Sequence, residues 1–128
     1  MRWQSNSNTK EVIKLGVLSN SPSTMDHCIE ACLKCLRACE ECFTACLEEA
    51  DVQARINCIK TLYDCAEICA QAVAYMSRNS EFSKALCQVC ATVCESCATE
   101  CEKFQDAHCQ ECAKICRECA ESCRKMAS

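Results

Sequence analysis

The sequence predicts an all-α fold, an antiparallel up-down-up-down four-helix bundle with a cysteine-lined core, and three observations carry that expectation. Cysteines recur at alternating steps of 3 and 4 residues, which keeps their side chains on one stripe of a helix, the a/d seam of a coiled-coil-like bundle. The chain favours Ala, Glu, Lys and Gln and holds one Gly and one Pro in 128 residues, a helical composition poor in turn formers. Short breaks around 49–52, 77–81 and 103–107 divide the periodic region, and links that short make successive helices antiparallel neighbours.

Residues 1–22 lie outside the repeat and read as an N-terminal arm; the bundle occupies 23–128. Pro22 and Ser23, with Asp26 three residues past Ser23, predict a helix start with a capping box. The first helix carries Cys28, Cys32, Cys35, Cys39, Cys42 and Cys46. Asp51 is the expected cap of the second, whose seam reads Cys58, Leu62, Cys65, Cys69, Ala72, Met76, so that three of its inward places are not thiols. Asn79 or Ser80 is expected to cap the third helix, with Cys87, Cys90, Cys94, Cys97 and Cys101. Asp106 is expected to cap the fourth, with Cys109, Cys112, Cys116, Cys119 and Cys123.

Beside the seam of the first helix stand Ile29, Leu36 and Phe43 on one flank and Ala31, Ala38 and Ala45 on the other. Alanine recurs at Ala91 and Ala98, and at Ala113, Ala120 and Ala127. Small flanks let helix backbones approach closely while larger apolar residues seal the joints.

A chain of this length buries a core without covalent staples, so its cysteines are not needed as a disulfide framework. The N-terminal apolar run is short, is interrupted by Lys14 and lacks a cleavage site of the A-x-A kind, which argues against a secretory signal. No stretch reaches the ~20 apolar residues of a membrane span. A reducing cytoplasm, with thiols kept reduced, is the expected home. A net charge of −4 with interspersed signs offers no basic patch for nucleic acid.

Four uses of the thiols compete. As small hydrophobes, one or two would need no further account, but packing gives no reason to avoid Ala or Val at every inward place. Disulfides are geometrically accessible between facing positions, yet 19 is an odd number and the expected compartment is reducing. Zinc is suggested by six CxxC pairs, among them Cys32/Cys35 and Cys116/Cys119. Four thiolates around Zn²⁺ leave a net −2, however, so about four such sites would bury roughly eight uncompensated charges. Iron–sulfur clusters share the ligand type but usually sit in loops of mixed spacing. Copper(I) is a soft monovalent ion selected by thiolates, and about one Cu⁺ per cysteine keeps a core near neutrality whatever its length. Empty, the same core packs as protonated thiols.

The ladder CIEACLKCLRACEECFTAC, the sparse second helix CIKTLYDCAEICAQAV, the run LCQVCATVCESCATEC and above all HCQECAKICRECAESCRKM resemble the cytosolic copper storage proteins, from about residue 25 to residue 126. The resemblance implies a four-helix bundle that stores multiple Cu(I) ions on core thiolates, no catalysis, and a homotetramer in the cytoplasm. It carries nothing over to the arm.

Antiparallel threading gathers Cys28, Met76, Cys87, Cys123 and Met126 at one end, near Met25 and His27, and Cys46, Cys58, Cys101, Cys109 and His108 at the other. Thioethers and imidazoles both bind Cu(I), so either end can serve as the mouth. His108 is a candidate ligand, as the resemblance implies for the histidine of HCQEC; the alternative is a solvated residue at a helix start. No general base, oriented nucleophile or substrate pocket is legible, so no enzyme is expected. An iron–sulfur or thiol/disulfide redox protein, and a broad soft-metal detoxification protein, remain the alternative readings, and copper donor or acceptor proteins are the possible partners.

Overall fold

The computed structural model describes residues 23–128, which form α1 (Ser23–Leu47), a 3-10 turn (Val52–Arg55), α2 (Ile56–Ser77), α3 (Ser83–Cys101) and α4 (Ala107–Ala127). The arm expected over 1–22, including Pro22, lies outside the described residues. α1 packs against α2 and α4, and α3 against α2 and α4, whereas diagonal helices do not approach within 8 Å between Cα atoms. Facing thiols fix the direction: Cys28 meets Cys123 and Cys46 meets Cys109 between α1 and α4, while Cys58 meets Cys101 and Cys69 meets Cys90 between α2 and α3. The result is the antiparallel square expected from the short links.

Each helix turns its cysteine stripe inward, and every cysteine is 0–2% exposed. Ala91, Ala98, Ala113 and Ala120 are buried beside the seam, and Ile29, Leu36 and Phe43 pack against the core from its edge. A thiol buries far less apolar area than a leucine, whose full burial is worth about 1.5–3 kcal/mol. The metal-free bundle therefore leans on its few large side chains, and Leu62 and Met76 head the fully buried ones.

Two expected caps are corrected. Asp51 does not cap α2: it precedes the 3-10 turn, makes no capping bond, and its Oδ1 instead accepts from Arg55 Nε at 2.6 Å. A charge-assisted bond to a guanidinium outcompetes a neutral backbone N–H. Neither Asn79 nor Ser80 caps α3, whose first residue is Ser83. Asn79 instead ends α2 in the left-handed region (φ 52°), with its N–H donating to Met76 O and that of Ser80 to Tyr75 O, the Schellman arrangement in which Asn stands in for Gly. Ser80 Oγ accepts from Phe82 N at 3.0 Å, one turn too early for the helix. Asp106 does cap α4, accepting from Cys109 N at 3.3 Å.

Candidate metal centre

Alternating 3- and 4-residue steps place sulfurs from all four helices at interleaved heights along the bundle axis. All nineteen thiols are free and buried. Sulfur–sulfur approaches of 3.6–4.0 Å run from Cys28 through Cys123, Cys32, Cys119, Cys69, Cys94, Cys65, Cys35 and Cys116 to Cys112. Cys39 and Cys90 join the same path at Cys116 and Cys69. Groups of four Sγ atoms within 4.8 Å of one another recur along it, among them Cys32/Cys90/Cys119/Cys123 and Cys35/Cys39/Cys65/Cys116. Neighbouring groups share residues, so the CxxC pairs of the sequence do not segregate into closed sites.

The core is one of low polarity. Burial pushes the Cys109 thiol up, with the Asp106 carboxylate adding to it. The Cys69 thiol is raised by its neighbours Cys119, Cys32, Cys35 and Cys65 and further by burial. Thiols held in this way bind soft metal by giving up protons to it, so loading releases protons.

The two ends differ. At the first, Cys28, Cys87 and Cys123 form a group, Cys87 Sγ lies 3.7 Å from Met76 Sδ, and both Met76 and Met25, one turn before Cys28, are buried. Met126 packs at the edge of the core and His27 is exposed. At the second end, Cys42, Cys46 and Cys109 stand with His108, whose Nδ1 is 3.4 Å from Cys42 Sγ and 3.6 Å from Cys109 Sγ. His108 Nε2 faces Glu49 Oε2 at 2.9 Å and Asp106 Oδ2 at 2.8 Å. A proton on Nε2 thus serves carboxylate acceptors and leaves the Nδ1 lone pair directed at the sulfurs, the carboxylate–histidine arrangement common at metal ligands. Cys58 and Cys101 pair beside this group at 3.8 Å.

Sequence reasoning passed over Arg55. Its guanidinium is buried, with Nη1 3.6 Å from Cys46 Sγ and 3.5 Å from Cys109 Sγ, Nη2 2.7 Å from Asp106 Oδ1, and the Phe104 ring 4.4 Å from Cζ. The legible signal was Asp51 four residues before Arg55, an i,i+4 pair on the approach to Cys58. Asp106 ties the end together, since one carboxylate caps α4, binds Arg55 and faces His108.

Burial is the largest single influence on Asp106 and acts against its charged form, but the Arg55 guanidinium, the bond with Cys109, its own backbone N–H and the nearby His108 together outweigh it and hold the carboxyl well below the usual range. A depressed folded-state value adds stability above the unfolded one, about 3.9, and that stability is lost as pH falls through the folded value. Asp106→Asn is expected to lower stability at pH 7 by about 1–3 kcal/mol, with the difference from the parent shrinking below about pH 4, as read by thermal unfolding of the metal-free protein across pH.

Comparison with known proteins agrees with this architecture. The family model described as copper storage protein matches residues 21–128. The Cu(I)-bound copper storage protein BsCsp3 from Bacillus subtilis is 49% identical, with a TM-score of 0.80, over 83% of this chain and 100% of that one. A copper storage protein from Streptomyces lividans, loaded with 10 copper equivalents, is 37% identical with a TM-score of 0.80, over 90% of each chain. An uncharacterized cysteine-rich protein of Bacillus subtilis is 52% identical over 66 residues, which span 52% of this chain and 61% of that protein.

Proposed function

This chain belongs to the copper storage protein family, and on that premise we propose that it stores many Cu(I) ions as copper–thiolate clusters on the nineteen cysteines of its core, with His108 as a further ligand at one end. The observation that carries the reading is the continuous sulfur path through a buried core of shared, overlapping groups. Discrete four-thiolate sites for a divalent ion would each bury a net −2, while one Cu⁺ per thiolate leaves a loaded core close to neutral. Two- and three-coordinate Cu(I) lets a thiolate bridge ions along the path, which suits a ladder better than isolated tetrahedra. Copper held so leaves to competing thiols or acceptor proteins, and no step of bond-making on an organic substrate is called for.

The His108 end is the mouth in this reading. His108 is 27% exposed in its side chain and presents Nδ1 to Cys42 and Cys109, whereas Met25 and Met76 at the other end are buried. Replacing His108 by Ala is expected to slow loading and removal while leaving capacity within about one ion, as read by stopped-flow transfer from a chromophoric Cu(I) chelator. A large drop in capacity would make it a core ligand instead. A cytoplasmic site of action and a homotetramer belong to the same proposal: the Streptomyces lividans relative is described as cytosolic, no described helix is long and apolar enough to cross a membrane, and the tetramer rests on the family resemblance.

The deciding experiment is an anaerobic Cu(I) titration of the reduced protein against a chromophoric chelator, with Zn²⁺ in parallel. Saturation on the order of one ion per cysteine is expected, without visible absorption bands. Saturation at about four equivalents, or preference for zinc throughout the core, would overturn the storage reading; brown iron–sulfur colour in the isolated protein would replace it with the redox alternative.

A further inference from the structure

The group at the His108 end differs from the all-thiol groups of the core in both ligand type and charge. Cys42, Cys46 and Cys109 have Sγ separations of 4.0, 3.7 and 3.6 Å, and His108 Nδ1 stands 3.4 and 3.6 Å from two of them. A tetrahedron built on Zn–S of about 2.3 Å and Zn–N of about 2.0–2.1 Å has edges of about 3.8 Å between sulfurs and about 3.6 Å from nitrogen to sulfur. Five of the six separations lie within about 0.2 Å of those edges, the sixth, from Cys46 Sγ to Nδ1, is within 4.8 Å, and Glu49 and Asp106 already fix the imidazole.

Charge separates this group from the rest of the ladder. Three thiolates and a neutral imidazole around a divalent ion carry a net −1, and Arg55 donates to two of those same sulfurs with a guanidinium whose side chain is 6% exposed. The carboxylates of Asp51 and Asp106 also draw on Arg55, but they are the more exposed partners, at 52% and 22%, whereas the two sulfurs face the guanidinium inside the core. By contrast Cys35, Cys39, Cys65 and Cys116 have similar separations but are all buried thiols with no cationic hydrogen-bond donor, and a divalent ion there would leave −2 in the core. A monovalent ion on the three sulfurs of the His108 end would leave the imidazole surplus and one negative charge uncancelled by Arg55.

We propose that Cys42, Cys46, Cys109 and His108 form a discrete Cys3His tetrahedral site for one divalent d-block ion of the zinc class, with Arg55 as its charge partner, set at the end of an otherwise monovalent thiolate core. The site stands on its own geometry and goes beyond the storage reading; its thiols and imidazole are ones that reading also gives to Cu(I), so the divalent ion holds them until Cu(I) displaces it. A divalent ion seated there spans α1 and α4 and closes the end with a bond set that Cu(I) must exchange to pass.

Co²⁺ is the probe, because tetrahedral thiolate-bound cobalt has visible d–d bands. The full chain, reduced and metal-free under anaerobic conditions, is titrated with Co²⁺, the bands are then bleached with Zn²⁺, and Cu(I) capacity is titrated on the same preparation. About one tight equivalent of Co²⁺ is expected. Arg55→Met should weaken it about 10- to 100-fold, as loss of partners hydrogen-bonded to metal ligands does, and Arg55→Lys should recover part of the loss through charge alone. His108→Ala should weaken it and shift the bands, while Arg117→Met, which removes a surface charge, should leave both unchanged. Helicity and Cu(I) capacity report that each variant is folded. Absence of a tight equivalent, saturation at several equivalents of similar affinity, or one equivalent unaltered in both Arg55→Met and His108→Ala would overturn the site. A failure of Cu(I) capacity with the cobalt site intact would overturn storage alone.

Discussion

Replacing Cys69 and Cys116 together by Ser is expected to remove about four Cu(I) ions from the capacity of the protein, twice the number of sulfurs lost. The two residues are junctions. Cys116 Sγ lies within 4.0 Å of Cys35, Cys39 and Cys112, and Cys69 within the same reach of Cys90, Cys94 and Cys119. A thiolate that bridges is shared between ions, so its loss strips a ligand from each, and a hydroxyl is too hard a donor to replace it. Serine is nearly isosteric and can donate to a neighbouring Sγ, so the metal-free bundle should remain helical. The endpoint of a chelator titration checks the number. A loss of two ions or fewer would mean that copper is held by each cysteine separately, and the shared-ladder account would fail.

The second large effect concerns folding without metal. Leu62 is fully buried in α2 between Cys58 and Cys65, a large apolar side chain in a core of small thiols. Leu62→Ala is expected to destabilise the metal-free protein by about 2–5 kcal/mol, the transfer loss plus the cavity left behind. That is a substantial part of the roughly 5–15 kcal/mol available to a domain of this size. Saturation with Cu(I) should largely restore the melting temperature, because copper–thiolate bonds tie the helices in the folded state and ligands that bind it preferentially stabilise it. Thermal unfolding by circular dichroism, metal-free and loaded, gives the two differences. Equal losses in both forms would show that copper contributes no cross-linking between helices.

The helices and their inward faces were legible because the signal is periodic and repeated. Each cysteine from Cys28 to Cys123 sits on a 3/4 step, and no other regular structure keeps such positions on one side. Leu62, Ala72 and Met76 could be assigned to the same seam for that reason, and all three are buried. Helix ends were less legible. A short polar residue before a helix can cap it or bind something else, and Asp51 and Asp106 looked alike in sequence. The backbone decides between them: Asp106 has extended dihedrals (φ −66°, ψ 151°) and reaches Cys109 N, while Asp51 enters a 3-10 turn (φ −95°, ψ 36°) and gives its carboxylate to Arg55.

What the sequence determined alone was a thiol-walled four-helix container, since spacing sets which face a residue occupies and composition sets what that face can bind. What only the tertiary structure decided was the character of its ends. Arg55 lies about fifty residues before Asp106 and His108 in the chain, and nothing local in either segment says that a guanidinium will lie 3.5 Å from Cys109 Sγ and 3.6 Å from Cys46 Sγ. Periodicity is a property of one helix and can be read along it. Charge balance at a buried site is a sum over groups that meet only when the helices pack, and it had to wait for the fold.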